Sequence, residues 1–111
     1  MSEILEIPQG SKGFVLEMVA KYDNGEKINL VGKTPWLVVG NIADGTTHYS
    51  GQCSLGTYPA SGECEIVVDE AITDTVGVYK AELEIISGTE KIEANRFTLS
   101  ILPTMAGVSP W

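Results

Sequence analysis

A chain of 111 residues with a formal net charge of −8 fits one domain and carries too little positive charge to hold nucleic acid or an anionic membrane surface. Hydrophobic residues make up 43% of it, enough for a core and too many for a disordered chain. No apolar run reaches bilayer length, and Met1-Ser2-Glu3-Ile4-Leu5-Glu6 is acidic where a secretory signal is basic, so folding in a cytoplasm that keeps thiols reduced is expected.

Residues 1–9 carry Ile4, Leu5 and Ile7 but lack the look of a core strand, and are set apart as an N-terminal arm. Phe14 to Lys21 reads as the first strand. Tyr22 to Glu26 is a hairpin turn, with Asn24-Gly25 supplying the positive φ angles. Lys27 to Val31 reads as a short second strand. Pro35 to Gly40 is nearly all apolar and is expected to run through the middle of a sheet, with Trp36 in the core. Asp44-Gly45 turns the chain into a polar edge strand, Thr46 to Cys53. Glu63 to Val68 is the fifth strand, followed by a single helical turn over Asp69 to Thr73.

The most informative stretch follows, from Thr73 to Ile85. Tyr79, Ala81, Leu83 and Ile85 alternate with Val78, Lys80, Glu82 and Glu84, as in a strand with one buried face. Gly77 and Tyr79 open it just after a turn. A tyrosine there predicts a tyrosine corner, its hydroxyl bonded to a backbone group a few residues upstream. Lys91 to Leu102 is the last strand. Ile92 and Ala94 share one parity while Phe97, Leu99 and Ile101 share the other, which predicts a bulge or a change of neighbour near Asn95-Arg96.

About seven short strands at near-regular spacing predict an all-β, immunoglobulin-like antiparallel sandwich over residues 10–102. Its expected core includes Phe14, Trp36, Leu83 and Phe97. Val15, Val19, Leu37, Val39, Val78 and Ile86 carry the opposite parity. Facing outward, they would form an apolar surface that favours oligomerisation or docking. Residues 103–111 form a tail with Met105, Val108 and a terminal Trp111. Candidate interface residues are therefore Ile4, Leu5, Ile7, Val78, Ile86, Met105, Val108 and Trp111.

Reactive chemistry is thinly represented. His48 is the single histidine, there is no Gly-x-Ser-x-Gly elbow, and a surface role is expected for it. Cys53, Cys64 and His48 fall one short of a closed zinc site and lack a C-x-x-C spacing. The cysteines are expected as buried or partly buried free thiols, with a disulfide between them left open. Asp23 to Glu26 lacks the alternating acids of a calcium loop. Gly10 to Gly13 precedes a strand rather than a helix, so it is no phosphate cradle. No catalytic residue, metal or cofactor is expected.

The ordered set of elements resembles the immunoglobulin-like N-terminal domain of phage upper-baseplate proteins, a family found also in other tailed-phage fibre and virion components. The likeness runs from about Gln9 to Ile101. It rests on the Gly10-Ser11-Lys12-Gly13 entry, the Asp23-Asn24-Gly25 turn and the Ile28-Asn29-Leu30-Val31-Gly32 step. Gly62 to Val67, the Thr73 to Glu82 corner with its Gly77-Val78-Tyr79-Lys80-Ala81-Glu82, and the closing Arg96 to Ile101 complete it. The family continues into a linker and further domains where this sequence ends at Trp111, so only the first domain's role carries over.

The resemblance implies a non-enzymatic virion protein that decorates or connects capsid, neck, tail, baseplate or fibre. Its partners would be other virion proteins or copies of itself, a trimer among the assemblies. The alternative expectation is a carbohydrate-binding or adhesion module with Tyr49, Tyr58 and Trp111 as aromatic platforms.

Overall fold

The computed structural model describes residues 3–103. Short alternating segments pair into eight strands: β1 (Glu3–Pro8), β2 (Val15–Val19), β3 (Thr34–Asn41), β4 (Thr47–Gln52), β5 (Ser54–Leu55), β6 (Glu63–Val67), β7 (Gly77–Ser87) and β8 (Glu90–Leu102). One turn of helix, α1 (Glu70–Thr73), lies between β6 and β7, its first turn capped by the Asp69 carboxylate on the Ala71 N–H. The strands form a five-stranded sheet, β1-β8-β7-β3-β4, and a three-stranded sheet, β2-β6-β5. Between them lies one buried cluster that includes Leu37, Val39, Ile66, Leu83, Ile85, Leu99 and Ile101. The architecture is the expected β-sandwich, with β3 an interior strand and β4 at an edge of the larger sheet.

Three features depart from the sequence-based expectation. The first is the N-terminal segment, which is a strand of the sandwich. β1 pairs in parallel with β8, Leu5 opposite Leu99 and Ile7 opposite Ile101. Ile7 is 4% exposed and so is not available as an interface residue, while Leu5 is partly buried against the core. Parallel pairing with the far end of the chain leaves no local turn signal.

The second is the phase of β3. Pro35, Leu37 and Val39 point inward, while Trp36 and Val38 lie on the opposite face. Trp36 is therefore not a core residue, and Leu37 and Val39 are not outward ones. Phe14 also leaves the core: it precedes β2 and is 41% exposed. Leu83 is fully buried and Phe97 packs against the core from a partly buried position.

The third is the segment 27–31, which joins no sheet. Only a single bridge, Lys21 to Lys27, is formed. Ile28 and Leu30 are nonetheless fully buried. Their N–H groups bond the carbonyls of Ala20 and Pro59, so the segment is docked by isolated bonds to a strand end and to the 3-10 turn at Pro59–Ser61. Gly62 makes this approach feasible: its φ is +85°, and a Cβ there would come within 2.7 Å of the Ala20 carbonyl oxygen.

Two bulges re-aim side chains. Between β7 and β8, Glu82 faces Arg96 and Glu84 faces Glu93, so β8 holds an extra residue where its parity breaks. This turns Asn95 toward the other sheet. Its Oδ1 accepts from the Lys21 N–H and its Nδ2 donates to the Val19 carbonyl, both at 2.7 Å. Between β3 and β4, Val39 faces Tyr49 and Gly40 faces Thr47. His48 is the extra residue there, and the bulge turns it inward.

Candidate interaction surface

The corner before β7 ties one end of the sandwich together. Tyr79 follows the α1 turn and points inward. Its hydroxyl donates to the Thr75 carbonyl at 2.8 Å, and burial, with the Asp74 carboxylate nearby, pushes the phenol above its ordinary value. His48 stacks on the Tyr79 ring at 4.4 Å between centroids. Its Nε2 lies 3.1 Å from the Ile72 carbonyl oxygen and 3.7 Å from an Asp74 carboxylate oxygen. The β1–β2 linker joins the same knot. Thr73 donates its hydroxyl to the Ser11 carbonyl at 2.7 Å, and Gln9 donates its amide to the Asp74 carbonyl at 2.9 Å. Among the described residues no buried side-chain nitrogen or oxygen is left without a partner. His48 is thus a packing residue rather than the surface group expected, and it lacks a nucleophile beside it.

The outward face of the five-stranded sheet is different. Ile4 pairs across to Thr98, and Thr98 to Lys80; Glu6 pairs to Ser100, and Ser100 to Val78. Topology thereby brings Ile4 and Val78 onto one face, 68% and 53% exposed, with Thr98 and Ser100 of β8 between them. Ile86, partly buried, lies at the other end of β7 beside Thr34 and Lys91. Trp36 and Val38 add half-buried apolar area to the same face, with Gln52 and Glu84 flanking Trp36 across the strands. Sequence reasoning missed both because every residue from Pro35 to Val39 is apolar and neither parity stands out. Met105, Val108 and Trp111 lie outside the described residues.

An acidic strip crosses the middle of this face. Oxygens of Glu82, Glu84 and Glu93 lie within 4.8 Å of one another. Arg96 reaches Glu82 at 3.5 Å and Glu93 at 2.9 Å, and Lys91 reaches Glu84 at 3.6 Å. Partial burial and the neighbouring Glu84 and Glu93 hold the Glu82 carboxyl above its ordinary value, against the pull of Arg96. The strip is an ion-pair network in which two cations, Lys91 and Arg96, offset part of the charge of three carboxylates. A groove of about 510 Å³ beside it is lined by Val38, Asn41, Lys80, Glu82 and Arg96.

A larger groove, about 690 Å³, opens between β2 and β8 and is floored by Leu5, Leu16, Met18 and Phe97. It exists because three strands cannot cover five. Of the aromatic residues singled out as sugar platforms, Tyr49 packs against the core, Tyr58 is exposed near the 3-10 turn, and Trp111 lies outside the described residues. Cys53 and Cys64 are both free and buried, while His48 is engaged at the corner.

No family model matches the sequence, and no curated protein matches it. Among solved structures, the N-terminal domain of ORF48 of phage TP901-1 is similar, with a TM-score of 0.63 at 15% sequence identity. The likeness covers 91% of this chain and 88% of that one, and at this identity it is a likeness of fold.

Proposed function

We propose that this chain is a non-enzymatic structural protein of a tailed-phage virion, holding its place by contacts with other virion proteins or with copies of itself. The observation that carries the proposal is a fold shared with a phage protein domain along 91% of the chain. The ordered motifs from Gly10 to Ile101 support it independently. So does the arrangement of the outer sheet face, which presents apolar residues on a hydrogen-bonded strand array. A specific interface of ordinary size buries about 1,200–2,000 Å² in total, which this sheet face and its flanks can supply.

Mass in solution, measured by light scattering on the purified chain, is the direct test, together with imaging of the purified particle. An oligomer, or density for the domain in the particle, is expected. A strict monomer that is absent from the particle overturns the proposal. The patch itself is tested by Ile4→Asp with Val78→Asp, which should weaken assembly while leaving the fold intact.

A further inference from the structure

Cys53 and Cys64 are 3% and 1% exposed and belong to one core cluster. Neither is needed by the assembly surface. Cys53 stands where the chain crosses between sheets: its N–H bonds the Pro35 carbonyl in β3, and the next residue, Ser54, pairs with Glu65 in β6. Cys64 lies in β6 itself, opposite Leu55. Cys53 lies two residues before Leu55, the partner of Cys64, so strand alternation puts both buried cysteines on the inward face of the small sheet as diagonal neighbours. The neighbouring Cys64 and burial push the Cys53 thiol up, while Cys53 in turn lowers the Cys64 thiol against the effect of burial. The cover over the pair is slight. β5 is two residues long and sits at the edge of its sheet, the kind of element that opens locally without global unfolding.

We infer that Cys53 and Cys64 form a reversible disulfide that staples the sheet crossover to the middle strand of the small sheet. The oxidant is a low-molecular-weight disulfide such as oxidised glutathione. On opening of β5, the Cys64 thiolate attacks one glutathione sulfur and expels the first glutathione as thiolate. The Cys53 thiol then loses its proton and attacks the Cys64 sulfur, expelling the second. Two protein thiols are oxidised by two electrons, one glutathione disulfide is reduced to two glutathione thiols, and the two protons end on them. The domain is reduced where it folds and becomes stapled on reaching an oxidising medium.

The experiment incubates the full chain with oxidised glutathione and reads intact mass after alkylation, alongside thermal unfolding. A monomer lighter by two hydrogens, resistant to alkylation, reversed by dithiothreitol and melting several degrees higher is expected. Cys53→Ala should stop at a glutathione adduct on Cys64. Persistence of two alkylatable thiols in the wild type, or accumulation of its glutathione adduct, overturns the inference. So does a disulfide that joins two chains.

Discussion

The two faces of β7 differ more than any two surfaces of the molecule. Inward, Tyr79, Ala81, Leu83 and Ile85 are all buried and meet β8 partners such as Leu99, Phe97 and Ile92. Outward, Val78, Lys80, Glu82, Glu84 and Ile86 form a mixed strip with apolar ends, Val78 exposed and Ile86 partly buried, and a charged middle. Strand period two places these sets a few ångströms apart. The inner set determines whether the domain folds; the outer set is where it can meet another molecule. A stability effect and an assembly effect should therefore separate cleanly between neighbouring residues.

The largest loss should come from the inner face. Leu83→Ala removes a fully buried side chain at the β8 bulge and should cost about 2–5 kcal/mol. Chemical denaturation measures it, and a loss below about 1 kcal/mol would mean that the core collapses around the gap. Asn95→Ala is expected next. It leaves the Lys21 N–H and the Val19 carbonyl without their partner, for about 1–3 kcal/mol. Amide exchange at Lys21 should speed up with it. Tyr79→Phe keeps the ring on His48 and deletes only the bond to Thr75. It should cost about 1 kcal/mol, and an unchanged denaturation midpoint would remove that bond from the account of the corner.

The inner face was also the more legible one. β7 and β8 alternate strictly, so their buried sets and the parity break near Asn95 stand out in the sequence. The break's role did not, because the residues Asn95 bonds lie in another sheet. β3 hid its phase because both faces are apolar, and this carried Trp36 to the wrong side. β1 was invisible for a different reason. Its pairing partner lies at the opposite end of the chain, and nothing between them encodes the register. Residues 27–31 show the converse: they alternate as a strand does, yet the neighbouring backbone offers only scattered acceptors. The outer patch was half legible. Val78 follows from strand parity, but that it shares a face with Ile4 depends on strand order.

Glu82 tests the charged middle of the outer face, with the sign reversed. Burial, Glu84 and Glu93 make the folded domain hold the Glu82 proton to a higher pH than the unfolded chain does. The folded state thus binds more protons in the window above the ordinary value of 4.5. Stability from this group is fully present below 4.5 and is lost as pH rises through the raised value. Glu82→Gln should therefore stabilise the domain at neutral pH by less than about 1 kcal/mol. The gain should vanish as pH falls toward 4.5. A variant less stable than wild type at neutral pH would mean that the Arg96 ion pair outweighs the repulsion.

The smallest stability effect and the largest assembly effect should coincide at Val78. Its side chain is 53% exposed and points away from the core, so Val78→Asp removes little buried area and should shift stability by no more than about 0.5 kcal/mol. On a free surface the added carboxylate is hydrated and harmless. Under a partner it must be desolvated beside Ile4's patch without a cation of its own, and an unpaired buried charge is far more costly than a lost methyl contact. The substitution therefore reports on burial that exists only in the assembly. Unchanged denaturation with a shift toward monomer in solution places the contact on the outward face of β7. If both measurements are unchanged, the contact lies elsewhere, with the groove between β2 and β8 the next surface to substitute.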